Sequence, residues 1–146
     1  MFEVLLNKIT SILRANTLLS IVYNHEADNL KGDPAVIVVP SSNESDYDTT
    51  EENIRIYAFT IRVFIRRTGI REPDEADRIM REVISSIIDD FDKDYTFTGL
   101  SNPTGYTFIN TFANPSSWGY SGREDEFRGS DINLRCRVSV ALTAIS

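Results

Sequence analysis

The sequence has little of the chemistry on which most enzymes depend. Its 146 residues include one cysteine, one histidine and one tryptophan. A single cysteine cannot form an internal disulfide, so Cys136 indicates folding in a reducing compartment, with synthesis in the cytoplasm. Cys136 takes an inward position in an alternating segment and is expected to act as a small buried hydrophobic residue. His25 lies in a polar segment and is expected to be solvated.

Long apolar runs are also missing. No run approaches the roughly 20 residues that are needed to cross a bilayer. The N-terminal segment carries Glu3 and Lys8 within its periodic pattern, unlike the core of a signal peptide. We therefore expect neither membrane insertion nor secretion.

Basic residues are outnumbered, 15 against 22 acidic ones, which gives a formal net charge of −7. A chain with this balance repels phosphate backbones and anionic membrane surfaces. Specific nucleic-acid binding is therefore not expected, and only a local basic patch would allow it.

The acidic run near residue 90 has part of the pattern of a calcium loop. Asp90, Asp92 and Asp94 stand at alternate positions, as calcium ligands do in an EF-hand. An EF-hand also needs glycine at the sixth position and glutamate at the twelfth, but here these are Tyr95 and Ser101. We interpret the run as a solvated helix end and predict no metal site.

Nucleophile and nucleotide motifs are absent as well. The segment Gly119-Tyr-Ser-Gly122 has neither the Gly-x-Ser-x-Gly spacing nor the strand-to-helix context of a nucleophile elbow. The sequence contains neither a phosphate-binding loop nor a dinucleotide-binding glycine fingerprint. The prediction is a non-enzymatic protein with no catalytic residues and no cofactor, unless a site exists that the sequence does not reveal.

The periodicities predict one domain, residues 1–146, of the α/β class (α+β type). We expect a mainly antiparallel sheet of four or more strands, with two helices packed on one face, in the order α-β-β-α-β-β. Apolar residues spaced three and four apart predict helices over 2–15 and from Pro73 to Phe91. Alternating or β-branched segments predict strands over 35–39, 54–67, 106–112 and 132–142.

The two segments between paired strands are predicted to be loops. Pro40 is expected to end the first strand, because proline has no N–H for the ladder. Residues 41–52 are acidic with almost nothing to bury, the profile of a long solvated loop and a candidate contact arm. Residues 113–130 include Trp118 and Tyr120 in a glycine-rich connection too long for a tight turn. These aromatic residues either fold back on the core or meet a partner.

A basic patch is predicted if the second and fourth strands are neighbours. Its members lie on the less apolar sides of these strands and are Arg62, Arg66, Arg135 and Arg137. The ordinary explanation is a solvated sheet face. The alternative is a subunit interface in which these guanidinium groups meet acidic segments of adjacent subunits, such as the region around Asp46 and Asp48.

Five segments of the sequence carry a resemblance to a known family. They are Thr50-Glu-Glu-Asn-Ile-Arg-Ile-Tyr-Ala-Phe59, Ile88-Asp-Asp-Phe-Asp-Lys-Asp94, Gly105-Tyr-Thr-Phe-Ile-Asn110, Trp118-Gly-Tyr-Ser-Gly-Arg-Glu-Asp-Glu-Phe127 and Arg135-Cys-Arg-Val-Ser139. Taken together they resemble a tail terminator (tail completion) protein of long-tailed bacteriophages. The resemblance is one of element order, size and segment texture, and it spans most of the chain.

The resemblance implies a structural subunit of a virion, located at the junction of tail and head. Such a subunit forms a six-fold ring with copies of itself, caps the finished tail tube and provides the surface for head attachment. The implied partners are the tail tube protein and the head–tail connector proteins, and DNA passes through the ring without specific binding. Two alternatives stay open: a head-side stopper or adaptor protein, and a small enzyme or ligand-binding domain with a hidden pocket.

Overall fold

The computed structural model describes the backbone of residues 1–47, 52–66, 73–120 and 127–142, and the side chains of residues 1–42, 53–66, 75–115 and 127–142. Two helices and five strands follow one another in the order α-β-β-β-α-β-β. They are α1 (Phe2–Arg14), β1 (Ile21–Tyr23), β2 (Ala35–Tyr47), β3 (Glu52–Arg66), α2 (Pro73–Lys93), β4 (Tyr106–Tyr120) and β5 (Phe127–Ala141).

The five strands form one mixed sheet in the order β1-β2-β3-β5-β4. The pairs β2–β3, β3–β5 and β5–β4 are antiparallel, whereas β1 pairs with β2 in parallel. The predicted α+β class is correct, but the predicted element order misses β1 and the sheet is not antiparallel throughout. A strand of three residues is too short to show an alternating pattern, which explains why the sequence did not reveal it.

Both helices contribute to one hydrophobic core on the same side of the sheet. The apolar stripe of α1, with Leu5, Ile9 and Leu13 fully buried, meets the stripe of α2, in which Met80 and Ile87 are fully buried. The strand residues of this core are Val36 and Val38 of β2, the odd-numbered residues 57–65 of β3 and the even-numbered residues 132–140 of β5. The alternation of β3 and β5 therefore decides which side chains face the helices.

The predicted loop over 41–52 is wrong for most of its length. The β2 strand continues through Pro40 to Tyr47 and pairs with β3 from Asn53 onward, so the two strands form one long hairpin. A register shift lies between Pro40 and Ser42, and β1 pairs only with Ala35–Ile37. Proline is tolerated at such a position because a strand edge or bulge does not require its N–H.

The predicted loop over 113–130 is wrong in its described parts, because residues 113–120 and 127–130 belong to strands. The β4 strand continues to Tyr120 and β5 begins at Phe127, with a register shift between Pro115 and Ser117. These hairpin ends are rich in polar residues and glycine, so their sequence lacks the apolar alternation that marks a half-buried strand. The four residues 48–51 and the six residues 121–126 lie outside the described part.

Candidate interaction surface

The sheet face opposite the helices is covered at one end only. There the segment between β1 and β2 packs through Leu30 on a small apolar cluster that contains Ala35, Ile37, Phe64 and Phe127. Asp33 of this segment accepts a hydrogen bond from the backbone N–H of Arg66, at 2.9 Å, which fastens it to the end of β3. Residues 24–34, which contain neither helix nor strand, therefore form the cover of this end.

The rest of this face is the candidate site, and we call it the uncovered face. It consists of Ile54, Ile56, Ala58 and Thr60 of β3, Asn133, Arg135 and Arg137 of β5, and Phe112 and Asn114 of β4. The side chains of Phe112, Asn114, Asn133 and Arg137 are exposed. None of these residues belongs to either of the two apolar clusters of the described chain.

The register places the four predicted arginines on the same side of the sheet, because β3 and β5 are neighbours. They do not form one continuous patch. Arg62 lies opposite Asp131, and its Nη1 is 3.0 Å from Oε1 of Glu26 in the covering segment. The guanidinium of Arg66 lies over the ring of Phe127, at 5.3 Å from its centroid. Arg62 and Arg66 therefore make their contacts at the covered end of the sheet.

Arg135 and Arg137 belong to the uncovered face. They lie opposite Ala58 and Ile56 of β3, and Arg135 is four residues along β5 from Asp131, the partner of Arg62. At about 3.3 Å per residue this separates Arg135 from the Arg62 row by roughly 13 Å. The predicted patch is thus divided into two pairs with different surroundings.

Phe112 is a member of the uncovered face that the sequence did not identify. A register shift between Phe108 and Asn110 moves the alternation of β4 by one residue. As a result Thr111 is buried and donates a hydrogen bond to the carbonyl oxygen of Arg135, while Phe112 is 40% exposed beside the Arg135 side chain. An uninterrupted alternation predicts that Phe112 and Phe108 point to the same face of the sheet. The prediction fails because a bulge of this kind leaves no clear signal in one sequence.

A shallow depression of about 200 Å³ adjoins these residues, lined by Ser41, Ser42, Ala58, Asn133 and Arg135. Pockets for small ligands and cofactors usually measure about 300–1,000 Å³ and are largely apolar. This depression is smaller and offers hydroxyl, amide and guanidinium groups. Its size and chemistry fit a side chain or an extended segment of another protein better than a cofactor.

A wider groove of about 440 Å³ runs along the outer surface of α2. Its lining carries charges of both signs and consists of Arg81, Glu82, Ser85, Ser86, Asp89, Asp90 and Lys93. The amide of Asn16 donates to Ser86 and Asp90 at 3.0 and 2.7 Å, which ties the end of α1 to α2. Two residues of the groove therefore have a structural role, because they hold the residue that follows α1 against α2.

The acidic run at the end of α2 also has local partners. The backbone N–H of Thr98 donates to Oδ1 of Asp94 at 2.8 Å, and Nζ of Lys8 lies 3.6 Å from Oδ2. Burial alone would raise the pKa of Asp94, but the hydrogen bonds with Thr98 and the charge of Lys8 hold it below the usual value. Asp94 therefore fixes the chain where α2 ends. The described residues contain no group of three or more potential metal ligands.

The single cysteine and the single histidine have different surroundings. Cys136 is fully buried on the helix side of β5, and this burial raises the pKa of its thiol to about 12. The prediction of a small buried hydrophobic residue is confirmed. His25 is exposed, and its Nδ1 lies 2.7 Å from the carbonyl oxygen of Glu26.

The remaining predicted interface residues lie in or near the hairpin ends. Asp46 is in β2, opposite Ile54, and Asp48 is outside the described part. Trp118 and Tyr120 are in β4, opposite Ser130 and Arg128. Their side chains are outside the described part, so the choice between folding back and meeting a partner stays a prediction. Neither described helix is long and apolar enough to span a membrane.

Comparisons with known proteins bear on the fold. No protein-family model matches the sequence, and no curated protein matches it. Among solved structures the chain is similar to one from the "Virion of native gene transfer agent (GTA) particle", with a TM-score of 0.65. The two are 16% identical in sequence, and the similarity covers 92% of this chain and 94% of that one. The chain therefore shares, over nearly its whole length, the fold of a chain found in a gene transfer agent virion.

Proposed function

We propose that this protein is a structural component of a virion, in which it forms a ring that caps the end of the tail tube, stops tube polymerisation and provides the surface for head attachment. The observation that carries the proposal is the full-length similarity in fold to a chain of the gene transfer agent virion. The sequence resemblance to tail terminator proteins is the support for the specific role that we propose within such a particle.

The positions of the two hairpin ends support a subunit with two different docking surfaces. The register pairs Glu52 of β3 with Ala141 of β5, and Arg66 of β3 with Phe127 of β5. Residues 48–51 therefore connect strands at one end of the sheet, and residues 121–126 connect strands at the opposite end. A ring subunit that meets the tube on one side and the head on the other needs this kind of polarity.

A closed ring also requires that one patch of each copy binds a different patch of the next. The uncovered face and the acidic hairpin end provide two such patches of opposite charge. A net charge of −7 is compatible with DNA passing through the ring, because an acidic surface does not hold phosphate groups. Once the ring is seated, its outer surface no longer matches a tube subunit, and polymerisation stops.

The test is removal of the gene from a producing strain, followed by electron microscopy of the particles. We expect tail tubes of uncontrolled length without attached heads, and restoration of normal particles when the gene is supplied in trans. Normal tails and heads in the absence of the protein would contradict the proposal.

A head-side stopper or adaptor is the alternative role, and binding separates it from the tail terminator. The purified protein is incubated with isolated tail tubes and, separately, with purified connector complexes. A tail terminator binds the tube end and blocks further addition of tube subunits. Binding to the connector alone, with no effect on tube growth, would assign the protein to the head side.

A further inference from the structure

The edges of the sheet are unsuited to strand addition. Pro40 in β2 and Pro115 in β4 are each followed by a register shift, and both strands have an outer side without a full strand partner in the described part. Proline lacks the N–H that an added strand would need, and a bulge twists the edge away from a flat partner. Copies of this chain are therefore not expected to join edge to edge.

The beginning of the β4 edge is closed in another way. The backbone N–H of Thr111 donates to the carbonyl oxygen of Tyr95 at 2.8 Å, and that of Phe108 donates to Oδ1 of Asn102 at 3.1 Å. Both acceptors lie in the connection that precedes β4. This connection occupies two of the donors that an incoming strand would use, which favours a contact through a face of the sheet over strand addition at this edge.

The helices cover one face, and the segment around Leu30 covers part of the other. Of the two sheet faces, this leaves the uncovered face, where the exposed ring of Phe112 lies opposite Arg135 and Arg137 follows two residues further along β5. Arg137 is exposed and has no ion pair with a described side chain. An aromatic ring flanked by guanidinium groups is suited to an extended, carboxylate-rich segment, because arginine pairs with carboxylates through two parallel hydrogen bonds.

The chain itself contains a segment of this chemistry. Residues 44–52 carry five carboxylates and no basic side chain, namely Glu44, Asp46, Asp48, Glu51 and Glu52. We propose that the uncovered face, through Arg135, Arg137 and Phe112, binds the acidic segment 44–52 of a second copy of this chain. The proposal rests on the proposed function in taking another copy as the occupant, and it names the contact that joins neighbouring subunits.

A competing arrangement exists within one chain. Glu44 and Arg137 both lie opposite Ile56, on its two sides, so two strand spacings of about 4.8 Å each separate their backbones. Charge reversal within one chain would not distinguish this arrangement from a contact between copies. Mixing two complementary variants does distinguish them, because only a contact between copies is restored by mixing.

The experiment compares two charge-reversed variants by sedimentation velocity and native mass spectrometry. One variant is Arg135→Glu with Arg137→Glu, and the other is Glu44→Lys with Asp46→Lys. We expect the wild-type chain to self-associate, and each variant alone to associate at least about tenfold more weakly. An equimolar mixture of the two should recover association to within about threefold of wild type, in complexes that contain both variants.

The matched control is Arg78→Glu with Arg81→Glu, which changes the charge equally on the exposed side of α2, where Arg78 pairs only with Glu82 in the described part. It should associate like wild type. Phe112→Ala should weaken association, whereas Tyr95→Ala, at another exposed aromatic residue, should not. Thermal unfolding is measured for every variant, and Arg137→Gln replaces the double reversal if the latter does not fold.

Three results would overturn the proposal. The first is a wild-type chain that stays monomeric at about 1 mM, and the second is an equal loss of association in the α2 control. The third is that the mixture of the two variants does not recover association, whereas a single chain that carries all four changes does. The last result would assign the acidic segment to its own chain. If variants that no longer associate in solution still cap tubes normally, this inference alone is refuted. If the contact between copies is found but the wild-type protein does not cap tubes, the proposed function alone is refuted.

Discussion

The two faces of the sheet are formed by the same strands, but adjacent residues of a strand differ in burial because they point to opposite faces. Phe59 of β3 is fully buried under the helices, whereas Thr60, the next residue, lies on the uncovered face. In β5 the fully buried Cys136 stands between Arg135 and Arg137, which point to the other side. The helix side of the sheet therefore carries the main core, and the other side keeps polar and charged residues at the surface. Changes to adjacent residues should separate stability from assembly.

The largest effect is expected on the helix-covered face. Phe59→Ala should lower the free energy of unfolding by about 3–5 kcal/mol, because it removes a large side chain from the centre of the core. Thr60→Ala on the same strand should cost less than about 1 kcal/mol. Urea denaturation followed by circular dichroism measures both. Similar losses in the two variants would mean that the uncovered face carries as much of the stability as the core.

A smaller effect is expected at the covered end of the outward face. Leu30→Ala should lower the free energy of unfolding by about 2 kcal/mol, since it removes the main apolar contact of the covering segment with Phe64 and Phe127. Phe112→Ala, on the uncovered face, should change it by less than about 0.5 kcal/mol. A destabilisation by Phe112→Ala as large as that of Leu30→Ala would show that the two ends of this face do not differ.

The buried thiol of Cys136, which stands between Arg135 and Arg137 in β5, should make the free energy of unfolding depend on pH. Burial raises the pKa of Cys136 from 9.0 to about 12 in the folded chain. Between these values the unfolded chain loses the thiol proton and the folded chain keeps it, so stability should be unchanged below pH 9.0 and fall above it. The slope contributed by this group is at most about 1.4 kcal/mol per pH unit.

Denaturation curves of the wild type and Cys136→Ala between pH 7 and 11, about two units to either side of 9.0, isolate this contribution, because all other groups are common to both. The difference between the two free energies should be constant up to pH 9.0 and then shrink as the wild type loses stability. A difference that does not change with pH would show that the thiol is accessible to water in the folded chain.

The sequence was informative where many residues repeat one pattern. The helix stripes, the start of α2 at Pro73 and the alternation of β3 and β5 predicted the core, because burial selects apolar residues at each repeat. It also predicted that β3 and β5 carry arginines on the other face. The division of those arginines between Glu26 and the uncovered face depends on a connecting segment whose path no local pattern specifies.

The wrong predictions of strands and loops come from single residues that interrupt the apolar alternation. Pro40 and Pro115 favoured loops where the strands continue, because a proline at an edge costs little when no partner strand needs its N–H. The shift after Phe108 reversed the side of Phe112, and β1 is too short to show a period. Edges, bulges and very short strands are properties of the assembled sheet, so one sequence gives them almost no signal.

The order β3-β5-β4 has a consequence for synthesis. β5 lies between β3 and β4 in the sheet but follows both of them in the chain, so a ribosome makes it after both of its neighbours. In the complete sheet β5 separates β3 from β4 by about 9.6 Å, twice the usual strand spacing. A product that stops before Phe127 lacks β5 and therefore leaves β3 and β4 without the strand that both of them pair with.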